Sequence, residues 1–216
     1  MCGSTSPFRY FFADVKPIVL REPLAEFLGA FEHHQGLLEY SFDDVVKMAG
    51  HACPTVGSAF VCCKKALGHL HMGEIPERGN IAVTVHAEAD DKTYGVMGQV
   101  FSFMTGACGD SGFKGLGHKF RRKGLLLYEP AASGENSMRF TFARIDNGRK
   151  VQARLFPEKF PLVPGQEDMA GLMEKAFWDA ASHEEVHKFQ DLWMERVKAI
   201  VLEERDVNSW LAIEPA

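Results

Sequence analysis

Apolar and polar positions along this chain follow two periods, and the switches between them mark the predicted elements. The segment Pro23 to about His34 (Pro-Leu-Ala-Glu-Phe-Leu-Gly-Ala-Phe-Glu at its start) has helical spacing and a first-turn proline, which predicts an amphipathic helix. Ser41 is placed to cap a short second helix. Asp43 and Asp44 favour its positive end, and it stops near Gly50. A third helix follows Pro54 and runs through Ala59, Phe60, Val61 and Ala66 to about Leu70. The period then changes. Ile81, Val83 and Val85 alternate with Ala82, Thr84 and His86, as in a strand with one buried face.

Gly95 to Thr105 is apolar on several sides and predicts a buried helix, which leads into a stretch containing Gly106, Gly109, Gly112, Gly115 and Gly117. Leu125 to Tyr128 predicts a strand. Met138, Phe140 and Phe142 alternate again, Asp146-Asn147-Gly148-Arg149 supplies a turn, and Val151, Ala153 and Leu155 return, which together predict a hairpin. Pro157 to Gly165, with three prolines, is a connector. A helix follows over Glu167 to Ala180. Ser182-His183-Glu184-Glu185 is a capping-box pattern opening another, on which Val186, Phe189, Trp193, Val197 and Ile200 form one stripe. The sum is an α+β chain in three segments: a helical lead-in over 1–40, a core over 41–165, and a helical layer over 166–216 packed on the core.

Composition narrows the class. With 216 residues, 46% hydrophobic and 25% charged, the chain has enough apolar material for one buried core. The net charge is -5, and the single compact basic cluster is Lys119, Arg121, Arg122 and Lys123. Such a cluster reads as a solvated loop, which argues against nucleic acid as a partner. No run approaches the roughly 18 apolar residues of a membrane helix. The start, Met1 to Pro7, lacks the basic-then-apolar pattern of a secretory signal. Five cysteines, an odd count in a chain this long, fit reduced thiols and a cytoplasmic location.

The candidate chemistry centres on Gly50-His51-Ala52-Cys53-Pro54. Cys53 precedes a helix, where backbone N–H groups favour a thiolate, the form that attacks electrophiles and binds metals. His51, two residues away, can join it on one ion or act as its base. Cys108, in Thr105-Gly106-Ala107-Cys108-Gly109-Asp110-Ser111-Gly112, lies where the backbone can approach a ligand closely or cradle an anion through its amides. His86 and His118 are further candidates. Cys62 and Cys63 are adjacent in a helix, point about 100° apart by helical geometry, and read as core. His33-His34 and His69-x-His71 end predicted helices and read as surface, as does the pair His183 and His187.

Taken together, Ser41-Phe42-Asp43-Asp44-Val45-Val46-Lys47, the His-x-Cys-Pro piece, the helix ending in Thr105-Gly106, Lys123-Gly124 and Phe189-Gln190-Asp191-Leu192-Trp193 resemble the FmdE-like family of formylmethanofuran dehydrogenase components and their stand-alone relatives, over roughly residues 41 to 205. The resemblance implies an α+β fold with a mixed or antiparallel sheet covered by helices, a homodimer, and a metal held by His51 and Cys53 with a further cysteine, by position Cys108. Here the family's Thr-Gly-Cys becomes Thr-Gly-Ala-Cys, and Thr93 and Tyr94 stand where the family tends to have an upstream cysteine.

Two main readings result. One is a small metalloprotein holding zinc, nickel or iron through His51, Cys53 and Cys108 or His86, with an open position for catalysis. The other is a metal-free interaction or regulatory module for a partner redox enzyme or a small cofactor, with haem on Cys53-Pro54 as a variant. Thiol redox chemistry between Cys53 and Cys108 is a third, and needs disulfide reach.

Overall fold

A 3-10 turn (Tyr10–Asp14) followed by a two-stranded ribbon opens the described fold, in a computed structural model that covers residues 8–32, 36–91, 93–130 and 136–216. β1 (Ile18–Arg21) leads into α1 (Pro23–Phe27) and then into β2 (Leu37–Tyr40), which returns antiparallel with Leu20 opposite Leu38. The lead-in, expected to be helical, is therefore mixed, with Tyr10–Asp14 and α1 helical and β1 and β2 paired as strands. The helix predicted over 23–34 stops after one turn because Gly29 turns the backbone left-handed, with φ 74. His33 and His34 lie outside the described residues.

α2 (Phe42–Ala49) forms where Ser41 and Asp44 cap each other's backbone N–H groups, and ends at a left-handed Gly50. α3 (Pro54–His71) is the central helix, with Val56, Ala59, Phe60, Val61, Cys62 and Cys63 fully buried. β3 (Ile81–Val85) is followed by α4 (Tyr94–Thr105), the ribbon β4 (Gly115–Leu116) and β5 (Phe120–Arg121), β6 (Leu126–Tyr128), and the hairpin β7 (Met138–Arg144) with β8 (Lys150–Leu155). The tail holds α5 (Met169–Phe177), α6 (His183–Val201), α7 (Val207–Trp210) and β9 (Leu211–Pro215).

The main sheet runs β6-β3-β7-β8-β9. β3 and β6 are parallel and every other neighbouring pair is antiparallel, so the sheet is mixed and the fold is α+β. Its buried face carries Ile81, Val83, Val85, Phe140, Phe142 and Ala153 against α3 and α4. Phe101 of α4 meets Phe140 and Phe142 edge-on at 5.0 and 5.1 Å. The opposite face sets Thr84, Thr141 and Gln152 side by side and is partly exposed.

The tail is helical as expected, and β9 adds a strand that completes the sheet edge. Trp210, fully buried, locks it in place: its ring stands edge-on to Phe160 at 5.5 Å and its Nε1–H donates to Arg205 O at 2.9 Å. α6 lies on α3, where Gly57 lets Val201 approach so closely that a Cβ would come within 2.7 Å of Val201 Cγ1. Among the described residues no helix is long and apolar enough to cross a membrane.

Candidate functional site

The His51-Ala52-Cys53-Pro54 segment is held from two sides. Gly50 ends α2 and Pro54 starts α3, so the three residues between them form a tight connector. Trp193 of α6 clamps it by donating from Nε1 to Ala52 O at 2.8 Å. Cys53 is the N-cap of α3. Its Sγ accepts the Val56 N–H at 3.4 Å, and the side chain is packed into the core at 9% exposure. His51 is exposed. Its Nδ1–H donates to Ala49 O at 3.1 Å, and the ring borders a shallow hollow with Phe12 and Met194.

The other two candidates lie elsewhere. Cys108 is buried beyond the end of α4, where its thiol donates to Ser111 O at 2.6 Å. His86 follows β3 on the open side of the sheet and shares a 2.8 Å hydrogen bond with Thr141 Oγ1. Burial, and next the Arg139 charge, lower its pKa from the ordinary histidine value. Cys108 and His86 thus have neighbours different from each other's and from those of the connector that carries His51 and Cys53. Among the described residues no three His, Cys, Asp or Glu side chains are grouped to hold an ion. The residues present do not fit the expected metal as a ligand set.

The secondary candidates fall mostly as their positions suggested. Cys62 and Cys63 are core thiols whose pKa is pushed up by burial. His69, His118, His183 and His187 are exposed. His71 is not a surface residue: it is 3% exposed, and burial lowers its pKa. Nor is the basic cluster all solvated, because Arg122 is buried at 3% exposure.

Two concave sites stand out. The first, with a volume of about 600 Å³, lies at the N-terminal ends of both long core helices. Thr55 and Ser58 of α3 and Thr93 and Tyr94 of α4 form one wall, and Met97, Met138 and Phe160 form an apolar floor. Ser58 is fully buried and donates to Thr55 O at 3.1 Å. Thr93 is the N-cap of α4, yet its side chain makes no capping hydrogen bond. Burial, and next Asp91, raise the Tyr94 pKa.

The second is a cleft between the end of α4 and the glycine-rich segment, bordered by Arg78, Arg122, Cys108 and Tyr128. Beneath it lies a buried charge cluster. Glu22 accepts from Arg122 Nη2 at 2.6 Å and from Arg78 Nη1 at 2.7 Å. Arg78 also caps α4, donating to Met104 O and Phe103 O at 3.1 and 3.0 Å. Burial pulls the Arg122 pKa down, and Glu22 opposes that shift. Glu22, Arg78 and Arg122 are far apart in sequence and carry no periodic signal. The glycines after Thr105 were the one hint of this site.

No family model matches this chain, and no curated protein is significantly similar to it.

Proposed function

We propose that this chain is a binding domain for a small amphipathic molecule with an anionic head group, seated where α3 and α4 begin. The observation that carries the reading is the meeting of two helix starts over an apolar floor in one cavity. The aligned dipoles of both helices favour negative charge at that end, although Pro54 has no N–H and the N–H groups of Val56 and Tyr94 are taken by Cys53 Sγ and Asp91 O. Thr55 and Thr93 add hydroxyl donors, while Met97, Met138 and Phe160 suit an apolar body. The volume falls within the roughly 300–1,000 Å³ of small-molecule sites.

The resemblance to the FmdE-like family carries a different expectation, a transition metal on His51 and Cys53. The separate surroundings of Cys108 and His86, and the packed sulfur of Cys53, favour the metal-free alternative. Thr93 and Tyr94, which stand where the family tends to have a cysteine, border the proposed ligand cavity instead.

The test is thermal-shift and calorimetric titration with alkyl and aryl carboxylates and phosphates, on the intact chain and on Thr55→Phe, which fills the cavity. We expect concentration-dependent stabilisation by a subset of these compounds and its loss in the variant. The reading is overturned if none of them binds. It is also overturned if the purified protein carries stoichiometric zinc, nickel, iron or haem that disappears with Cys53→Ser. Sedimentation velocity reads the pairing of two copies that the resemblance implies.

A further inference from the structure

We infer that the cleft beyond α4 is a second site, which binds the oxyanion of a small carboxylate or phosphate on Arg122. The inference is independent of the cavity at the helix starts. Arg122 is buried, and Nη2 is committed to Glu22, but Nη1 is covered and has no hydrogen-bond partner among the described residues. A buried guanidinium N–H without an acceptor forfeits the hydrogen bonds it makes in water, a cost larger for a charged group than for a neutral one.

Local charge points the same way. Arg78 and Arg122 bring two positive charges and Glu22 a single negative one, so the cluster carries one uncompensated positive charge. Arg78 spends its remaining donors on the carbonyl groups ending α4, which leaves the excess at Arg122. Asp110, the nearest acidic side chain on the glycine-rich segment, is fully exposed and turned to Lys123 at 3.5 Å.

The backbone keeps this place free of side chains. Gly79 and Gly106 adopt φ 87 and 74, and a Cβ on either would collide with the Arg122 guanidinium, so Nη1 lies between two bare backbone positions. Gly106 and Arg122 both border the cleft, whose volume is about 1020 Å³, so the guanidinium lies in its wall with Nη1 covered beside the two glycine backbones. An oxyanion that reaches Nη1 accepts a charge-assisted hydrogen bond from a guanidinium that Glu22 holds in place.

The experiment uses the intact chain labelled with ¹⁵N-arginine, titrated separately with inorganic phosphate and with citrate. The side-chain signals are assigned by their loss in Arg122→Lys. We expect a saturable shift of the Arg122 signals with at least one of the two anions, and the anion that acts identifies the chemistry. Arg122→Lys keeps the charge and loses the Nη1 donor, and weakens binding by about tenfold or more, the equivalent of one charged hydrogen bond. Should that variant fail to fold, alkylation of Cys108 in the unmodified chain gives the answer. Cys108 borders the same cleft, and its modification slows several-fold with the binding anion while that of Cys62 and Cys63 is unchanged. Thr55→Phe leaves both responses intact. The proposal is overturned if neither anion moves the Arg122 signals below the concentration that shifts exposed arginines, or if Cys108 gains no protection.

Discussion

Trp193 and Ala52, 141 residues apart, are joined by a 2.8 Å hydrogen bond from the indole nitrogen to the carbonyl between His51 and Cys53. The connector that carries the most suggestive motif in the sequence is therefore shaped by the last long helix. Trp193→Phe keeps most of the packing and removes this bond, leaving a partly buried carbonyl without its donor. We expect a loss of about 1–2 kcal/mol in urea unfolding, with displaced His51 ring signals in NMR spectra. Unchanged His51 signals would show that the clamp does not shape the connector.

Glu22 is the single carboxylate between the buried guanidinium of Arg122 and the half-buried one of Arg78. Glu22→Gln leaves both arginines facing a neutral partner, in surroundings where an unpaired charge is poorly solvated. Stability should fall by about 3–5 kcal/mol in chemical denaturation. The side chain is only 4% exposed, so solvent screening does little to soften the effect. A loss comparable to that of an exposed ion pair such as Arg9 with Asp191 would contradict the assignment.

Cys53 serves as a helix cap as well as a core residue. Cys53→Ala removes the acceptor for the Val56 N–H and should cost about 0.5–2 kcal/mol. Cys53→Ser supplies a better acceptor of similar size, so its unfolding midpoint should lie above that of the alanine variant. Equal losses in the two variants would mean that sulfur packing, and not capping, sets the contribution of this residue.

His71 sets a pH dependence of known sign. Burial, and next the Arg144 charge, depress its folded-state pKa, while Asp146 and Glu74 act in the opposite direction. Over the window between the depressed value and about 6.5, the unfolded chain binds the proton more readily. The folded state is thus fully favoured above about pH 6.5 and loses stability as the pH falls below it. His86 adds to the slope for the same reason. Replacing His71 with Gln should flatten the stability profile across that window, measured as urea midpoints between about pH 7 and 5. An unaltered profile would rule out His71 as a source.

The elements recoverable from sequence were those with a strong local cause. Ser41 with Asp44, and Ser182 with Glu185, form reciprocal caps where the pattern placed them. The Asn147-Gly148 turn pairs β7 with β8 in the register that sets Phe142 opposite Val151. β1, β2 and β9 were missed because Ile-Val-Leu-Arg, Leu-Leu-Glu-Tyr and Leu-Ala-Ile-Glu-Pro do not alternate cleanly between apolar and polar, and tertiary pairing alone makes them strands. The site was less legible still. His51 and Cys53 are neighbours in the chain, but an exposed ring and a core sulfur do not amount to a ligand pair.

By itself, then, the sequence determined the capped helices, the central hairpin and the α+β class, because caps, turns and periodicity act over a few residues. Only the tertiary structure decided what stands around a cavity or a buried charge. The starts of α3 and α4 meet because both helices pack on one face of the sheet. Glu22, Arg78 and Arg122 meet because the buried Glu22 carboxylate and Arg122 guanidinium are tolerated only together, and the chain folds so that three distant segments supply the cluster.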